Sequence, residues 1–372
     1  MKKLWLGLLL FTTFGLRAGG ATAQDARGAV DLALCLDTSG SMSGPLDAAR
    51  MQLWEIVNEL ALLEPTPRLR VALLSYGNPT NTAAQGWVKV EIPLTENLDE
   101  VSERLFELTS DGGTEYVARA INVAVQELDW AESDNALKLI LVAGNEDADQ
   151  DPELRPEVAS AEANRLDIMV NAIFFGSANG EAADTWREMT ALGGGQFSTY
   201  KPSQNASDVV TPFDIDLTDL GASLNETSIP LGRAGEEALE AQIEQDHRAK
   251  DLGSAAAANR VQTKAGALYR RDWDLVDLVE SGKVVLNDVD ETQLPGFMQR
   301  MTWPERHDYV DEMMFKRSEL RQSIAELAAQ RNQYIADHAD AEGLGDSAGL
   351  VDAVRRAIRM RAEERGYIFS SR

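Results

Sequence analysis

The chain predicts an α/β fold, a doubly wound and mainly parallel sheet, followed by an all-α C-terminal domain. Two observations point to it. Apolar runs of strand length alternate with helix-period segments from about residue 28 to residue 201, the pattern of a parallel sheet covered on both faces. From Glu236 onward the chain is helix-period almost throughout, after a stretch over 202–235 dominated by Pro, Ser, Asn, Asp and Gly. At 372 residues it is long enough for two domains. The expected division is a targeting segment over 1–23, an α/β domain over 24–201, a packed linker over 202–235 and a helical domain over 236–372.

The N-terminus reads as a secretory signal. Lys2 and Lys3 precede an apolar run over 4–16, and Ala21-Thr22-Ala23 supplies a small-x-small cleavage site. The run is too short to span a bilayer comfortably, and no second apolar run of that kind occurs. The product is therefore expected to be exported, periplasmic or secreted, with no stable membrane span.

The first strand, 32–36, runs without a break into Asp37-Thr38-Ser39-Gly40-Ser41, and helical spacing follows from Leu46 to Leu63. Open α/β sheets usually hold ligands at the carboxyl ends of their strands. Asp37, Ser39 and Ser41 offer hard oxygens at two-residue steps, a set that suits Mg²⁺ with its remaining positions left to water or a partner. The competing reading is a Ser-rich turn that caps the helix.

Glu64-Pro65-Thr66-Pro67 ends that helix; 69–76 is a second strand and 87–94 a third, whose alternation marks a half-exposed edge. Ser110-Asp111-Gly112-Gly113-Thr114-Glu115 then precedes a helix over 117–128. Its two glycines allow close backbone approach, and Thr114 could equally be an N-cap. Strands follow over 137–143, over 168–174 and after Gly193-Gly194-Gly195, with helices over 153–166 and 185–192 between them.

At Asp37, Ser39 and Ser41 the chain resembles the von Willebrand factor type A family, whose metal-ion-dependent adhesion site (MIDAS) has the pattern Asp-x-Ser-x-Ser. The resemblance covers roughly residues 28–201. It implies that Thr114 joins the ion, directly or through water, and that an Asp or Glu of a protein partner completes the shell. It also implies Mg²⁺, with Mn²⁺ or Ca²⁺ as alternatives. The third loop departs from the family: Ala143-Gly144-Asn145-Glu146 puts Gly144 where an aspartate usually stands, leaving Glu146 or Asp147 as substitutes.

The acidic run 147–151 begins like a calcium loop but has Pro152 at the sixth position and Val158 at the twelfth, so an EF-hand is not expected. A formal charge of −26 argues against nucleic acid, which requires clustered basic side chains. Cys35, the one cysteine, lies within the first strand and reads as a small buried hydrophobe. His247, His307 and His338 lack metal-ligand spacing, and no Ser/His/Asp elbow or Cys/His couple marks an enzyme.

In the C-terminal region Thr302, Pro304 and Glu305 open a long helix, expected over about 304–339 and about 50 Å long. Val310, Met313, Arg317, Leu320, Ile324, Leu327, Arg331, Tyr334 and His338 form a broken heptad seam along it. That seam fits either an intramolecular helical hairpin or a coiled-coil homodimer. A final helix over 350–366 carries five arginines, expected to pair with the chain's own carboxylates. Two function classes follow: an exported, metal-dependent protein-binding module for adhesion or assembly, or a structural scaffold with a degenerate metal site whose helical domain makes the contacts.

Overall fold

The computed structural model describes residues 28–83, 86–200, 209–339, 355, 358–359 and 361–369. The expected signal segment over 1–23 lies outside these residues, and so do Asn205-Ala206-Ser207, which spells a glycosylation sequence, and Gly343, Gly345 and Gly349, whose spacing reads as a turn before the final helix.

The α/β part runs β1 (Ala29–Asp37), α1 (Ser43–Leu60), β2 (Leu63–Glu64), β3 (Arg68–Tyr76), β4 (Val88–Thr95), α2 (Leu98–Glu107), α3 (Val117–Glu127), β5 (Leu137–Gly144), α4 (Pro156–Arg165), β6 (Ile168–Phe174), α5 (Glu181–Leu192) and β7 (Gly194–Thr199). Six strands form one sheet in the order β4-β3-β1-β5-β6-β7. All neighbours are parallel except β4, which pairs antiparallel with β3 at the edge. Strand β1 is central, which is why it reads as an unbroken apolar run. Its side chains alternate between faces: Leu32, Leu34 and Leu36 pack with Leu53 and Trp54 of α1, while Ala33 and Cys35 pack with Ile121 of α3 and Trp186 of α5. Burial pushes the Cys35 thiol up to about 12, as suits a packing residue rather than a reactive one.

Helix α2 has no counterpart among the helices expected from spacing. Leu98, Val101 and Leu105 form its buried stripe, and the Asn97 side chain caps it by accepting from the Glu100 amide. A second helix, α6 (Asp214–Glu226), stands within the stretch expected to be linker. Its two most buried leucines, Leu217 and Leu224, are seven residues apart among polar neighbours.

The remaining elements are α7 (Gly232–Leu252), α8 (Ser254–Ala265), α9 (Leu275–Glu280), α10 (Trp303–Ala339) and β8 (Ile368–Phe369), the last paired antiparallel with β2. Helix α10 opens as expected, the Glu305 carboxylate accepting from both the amide and the hydroxyl of Thr302. Its seam is packed within the chain from Val310 to Arg331, while His338 at its end is exposed. Val310 and Met313 join Leu275 and Val276 of α9, and Ile324 joins Leu217 and Leu224 of α6 and Val261 of α8.

The arginines of that seam are buried and paired rather than exposed. Arg331 meets Asp214 at 2.8 Å, and Arg317 meets Asp274 at 2.6 Å and Asp277 at 2.5 Å. Arg260 of α8 ties the helical region to the sheet layer: it pairs with Asp99 of α2 at 2.6 Å and lies 4.4 Å from the Trp54 ring centroid. Of the five C-terminal arginines, Arg355 meets Glu59 at 2.7 Å, and Arg361 and Arg365 meet Asp167 at 2.8 and 2.5 Å, as expected; Arg356 lies outside the described residues. Tyr367, Ile358 and Ala362 complete the core on the α1 face of the sheet.

These pairs make the helical region acid-sensitive. Burial alone would raise the carboxyls of Asp214, Asp246 and Asp277. Donors from Thr211 and Arg331, from Lys264 and Arg260, and from Arg271 and Arg317, respectively, outweigh it and hold all three below the usual aspartate range. Their stabilising contribution is present above the unfolded value of about 3.9 and is lost as pH falls through the lower folded values. The melting temperature is therefore expected to fall steeply below about pH 4. Asp214→Asn should lower it at pH 7 and flatten that acid limb, as circular dichroism against pH would show.

Candidate metal centre

The centre is built at the carboxyl end of β1. Asp37 pairs in register with Tyr76 of β3 and is buried. The chain then turns sharply, because both the amide and the hydroxyl of Thr38 donate to the Tyr76 carbonyl, at 2.8 and 2.9 Å. That anchor aims Ser39 back at Asp37, whose Oδ1 accepts from the Ser39 amide at 2.7 Å. Ser39 and Ser41 bring their hydroxyls within 3.1 Å of each other, and the Ser41 hydroxyl donates to Asn145 Oδ1 at 3.1 Å. Three sequence-predicted oxygens therefore gather at one turn.

The second loop is stitched to the first by its backbone. Gly40 donates to the Gly112 carbonyl at 3.1 Å, Asp111 donates to the Thr38 carbonyl at 2.9 Å, and Thr114 bridges antiparallel to Gly77, the residue after Tyr76. Gly112 is required there: its φ is +87°, and a Cβ would stand 2.4 Å from the Pro79 ring. Thr114, half-buried, is thus held beside the Asp37 turn through main-chain pairing.

The two proposed substitutes for the third-loop acid fare differently. Glu146 is exposed and accepts from Gln150 Nε2 at 3.2 Å. Asp147 is exposed and caps its own turn, accepting from the Asp149 amide at 3.0 Å. Further along, Asp151 is not free for calcium, since Arg119 Nε holds it at 2.5 Å.

Gly144 itself has no room for an acid. A Cβ there would lie 2.6 Å from the Tyr76 hydroxyl and 3.0 Å from two ring atoms of Trp186. Tyr76 donates to the Ala143 carbonyl at 2.9 Å and Trp186 to the Glu146 carbonyl at 2.6 Å, so both rings are fixed.

Sequence reasoning missed Glu115. It is only 2% exposed and hydrogen-bonds Ser39. Gln150 Nε2 also reaches it, at 3.3 Å. Burial, then the charge of Glu115, push the Asp37 carboxyl up to about 7 against the opposing Ser39 amide, with Glu146 adding to the rise. Burial and the neighbouring Glu146 likewise raise Glu115. Among the described residues no lysine or arginine pairs with either carboxylate. The signal that could have found Glu115 was its adjacency to Thr114.

Among the described residues no group of three or more His, Cys, Asp or Glu forms a metal cage. A cation here would need the hydroxyls as well, and the set of carboxylate and hydroxyl oxygens has the hardness that Mg²⁺ requires.

The model of the von Willebrand factor type A domain matches residues 31–211. This segment is a von Willebrand factor type A domain. No curated protein matches the chain. Solved structures similar to it include the mussel byssus proximal thread matrix protein 1 with a zinc-occupied MIDAS motif, at 14% identity and a TM-score of 0.38, covering 48% of this chain and 43% of that one. The SpRpn10 VWA domain is similar at 12% identity and a TM-score of 0.38, over 48% of this chain and 90% of that one. The pilus adhesin SpaC from Lactobacillus rhamnosus GG, in an open conformation, is similar at 12% identity and a TM-score of 0.37, over 47% and 28%. The chain thus spans less than half the length of the mussel protein and of the adhesin. Type A domains are in general interaction modules.

Proposed function

We propose that this domain is an exported, metal-dependent protein-binding module. Asp37, Ser39, Ser41 and Thr114 bind Mg²⁺, with Mn²⁺ or Ca²⁺ as alternatives, and an Asp or Glu of a protein partner completes the coordination. The observation that carries this reading is a pair of buried carboxylates, Asp37 and Glu115, that no cationic side chain pairs among the described residues. Buried charge is costly unless it is paired or coordinates a metal. A divalent ion supplies the missing charge, and the exposed Ser41 marks the side from which a partner reaches it.

The division of labour among the residues follows from their positions. Asp37 carries charge and is oriented by the Ser39 amide; the serine hydroxyls contribute neutral donors; Thr114 enters from the second loop. Neutral donors keep the bound ion electrophilic, so a partner's carboxylate remains a favoured final ligand. This chemistry is binding rather than bond-breaking.

Calorimetry of the chain with Mg²⁺, Mn²⁺ and Ca²⁺, beside Asp37→Ala, tests the metal. The variant is expected to lose more than about a hundredfold in affinity, since even outer partners of metal ligands are worth about 10–100-fold. Capture of partners from envelope extract, with and without chelator, tests the purpose. Equal metal binding by variant and wild type, or capture that ignores chelation, would favour the scaffold reading. The blocked third loop at Gly144 is the observation on the scaffold's side.

A further inference from the structure

We infer that Glu115 supplies the second carboxylate of the metal centre, in place of the aspartate that the third loop cannot carry. The inference rests on the metal-binding reading above, which counts Glu115 only as unpaired charge, and adds it to the ligand set.

The geometry centres on Gly77. At the point where its missing Cβ would stand, Asp37 Oδ1 lies 2.9 Å away, the Glu115 Cγ 3.2 Å and the Ser39 Cβ 3.5 Å. Three side chains from two loops therefore crowd one point, which they can approach this closely because Gly77 has no side chain. Glu115 is held there: the Ser39 hydroxyl bonds its carboxylate, and Gln150 reaches it from the loop after β5.

The groups around Glu115 argue against a purely structural role. A structural glutamate buried to this degree would ordinarily meet an arginine or lysine, as Asp31 meets Arg70 at 2.6 Å and Asp151 meets Arg119. Glu115 instead faces Asp37 and Glu146, both of which repel it. Two carboxylates this close, without a cation, form an arrangement that a divalent ion would stabilise. Glu146 is the outer member: it is exposed, hydrogen-bonds the Glu115 carboxyl directly and shares Gln150 with it.

A charge consequence follows. One carboxylate leaves a bound divalent ion with one net positive charge, whereas two neutralise it. Glu115 would thus tune the pull on an acidic partner, strengthening metal retention while weakening partner attraction.

The experiment is Mg²⁺ calorimetry and thermal melting, with and without Mg²⁺, on the chain carrying Glu115→Gln, Glu115→Asp, Glu146→Gln or Asp37→Asn. Glu115→Gln is expected to weaken Mg²⁺ by about tenfold or more, Glu146→Gln by less than about threefold, and Glu115→Asp to recover part of the loss by keeping the charge. The metal-free melting temperature of Glu115→Gln should rise, because a buried unpaired charge has gone, and its gain on adding Mg²⁺ should shrink. A residue that merely held Gln150 in place would show neither change. If Glu115→Gln binds Mg²⁺ within about twofold of wild type while Asp37→Asn loses binding, Glu115 is no ligand and the metal reading stands. If Asp37→Asn also binds normally, or the wild type takes up no cation, both fail together. Should Glu115→Gln not fold, Glu115→Asp decides: unchanged affinity for Mg²⁺ despite a carboxylate withdrawn by one methylene would overturn the assignment.

Discussion

Gly144→Asp, which would restore the acid that type A domains usually carry in their third loop, is expected to destabilise the fold by about 3 kcal/mol or more instead of repairing the site. The position is already occupied. A Cβ alone would approach the Tyr76 hydroxyl to 2.6 Å and two atoms of the Trp186 ring to 3.0 Å, and both side chains are fully buried and hydrogen-bonded to the same loop. Neither ring can swing away without breaking its bond to Ala143 or Glu146. The new carboxylate would also stand beside the Tyr76 hydroxyl, which already feels the charges of Asp37 and Glu115. Urea denaturation of Gly144→Asp beside Gly144→Ala separates the two costs. Overpacking by one methyl should cost about 1–3 kcal/mol, and the charge should account for the rest. A Gly144→Asp protein of wild-type stability with improved Mg²⁺ affinity would show that the third loop can after all accept an acid.

Arg317→Ala should cost about 3–5 kcal/mol, the range for removing one partner of a buried ion pair. Arg317 is 1% exposed at the centre of α10. Its guanidinium pairs with Asp274 and Asp277, and also donates to the hydroxyl of Thr227 at 3.0 Å and to its carbonyl at 2.9 Å. Asp274 is itself structural: its Oδ1 accepts from the amides of Ile229 and Val276, joining α9 to the segment after α6. Burial raises the Asp274 carboxyl, and the Arg317 charge is the main force holding it down. Without Arg317 that carboxyl stays charged at a cost or takes up a proton, and three elements lose their shared anchor. Adding Asp274→Ala to Arg317→Ala should cost clearly less than the sum of the single changes, because the pair acts as a unit. Additive losses in chemical denaturation, or a single-variant cost under about 1 kcal/mol, would show that α10 is held by its apolar seam alone.

The distinction between these arginines and ordinary heptad polar positions was not legible in the chain. Spacing placed Arg317 and Arg331 on the same face as Val310, Met313 and Ile324, and that much the structure bears out. Whether the face met solvent, a second copy or the chain's own α6, α8 and α9 depended on contacts as far as 117 residues away, such as Arg331 with Asp214. Helix α2 is a different kind of miss. Leu98, Val101 and Leu105 behind an Asn97 cap are a local signal that could have been found. Helix α6 gave a weaker one, since Leu217 and Leu224 are the large apolar residues on a buried side that also holds Asp214 and Gly221.

By itself the sequence determined the alternating strands and helices, the unbroken apolar character of β1, the edge character of β4 and the strand–turn–helix that brings Asp37, Ser39 and Ser41 together. All of these follow from local rules: apolar period, turn chemistry and the two-residue step along an extended chain. Only the tertiary structure decided that Glu115 lies buried against Asp37, that Tyr76 and Trp186 close the third loop to an acid, and that the helical region's arginines are sealed inside it. Burial of a charged group and the space beside a glycine are set by whichever distant segment arrives next to them, and no residue's own neighbours in the chain carry that information.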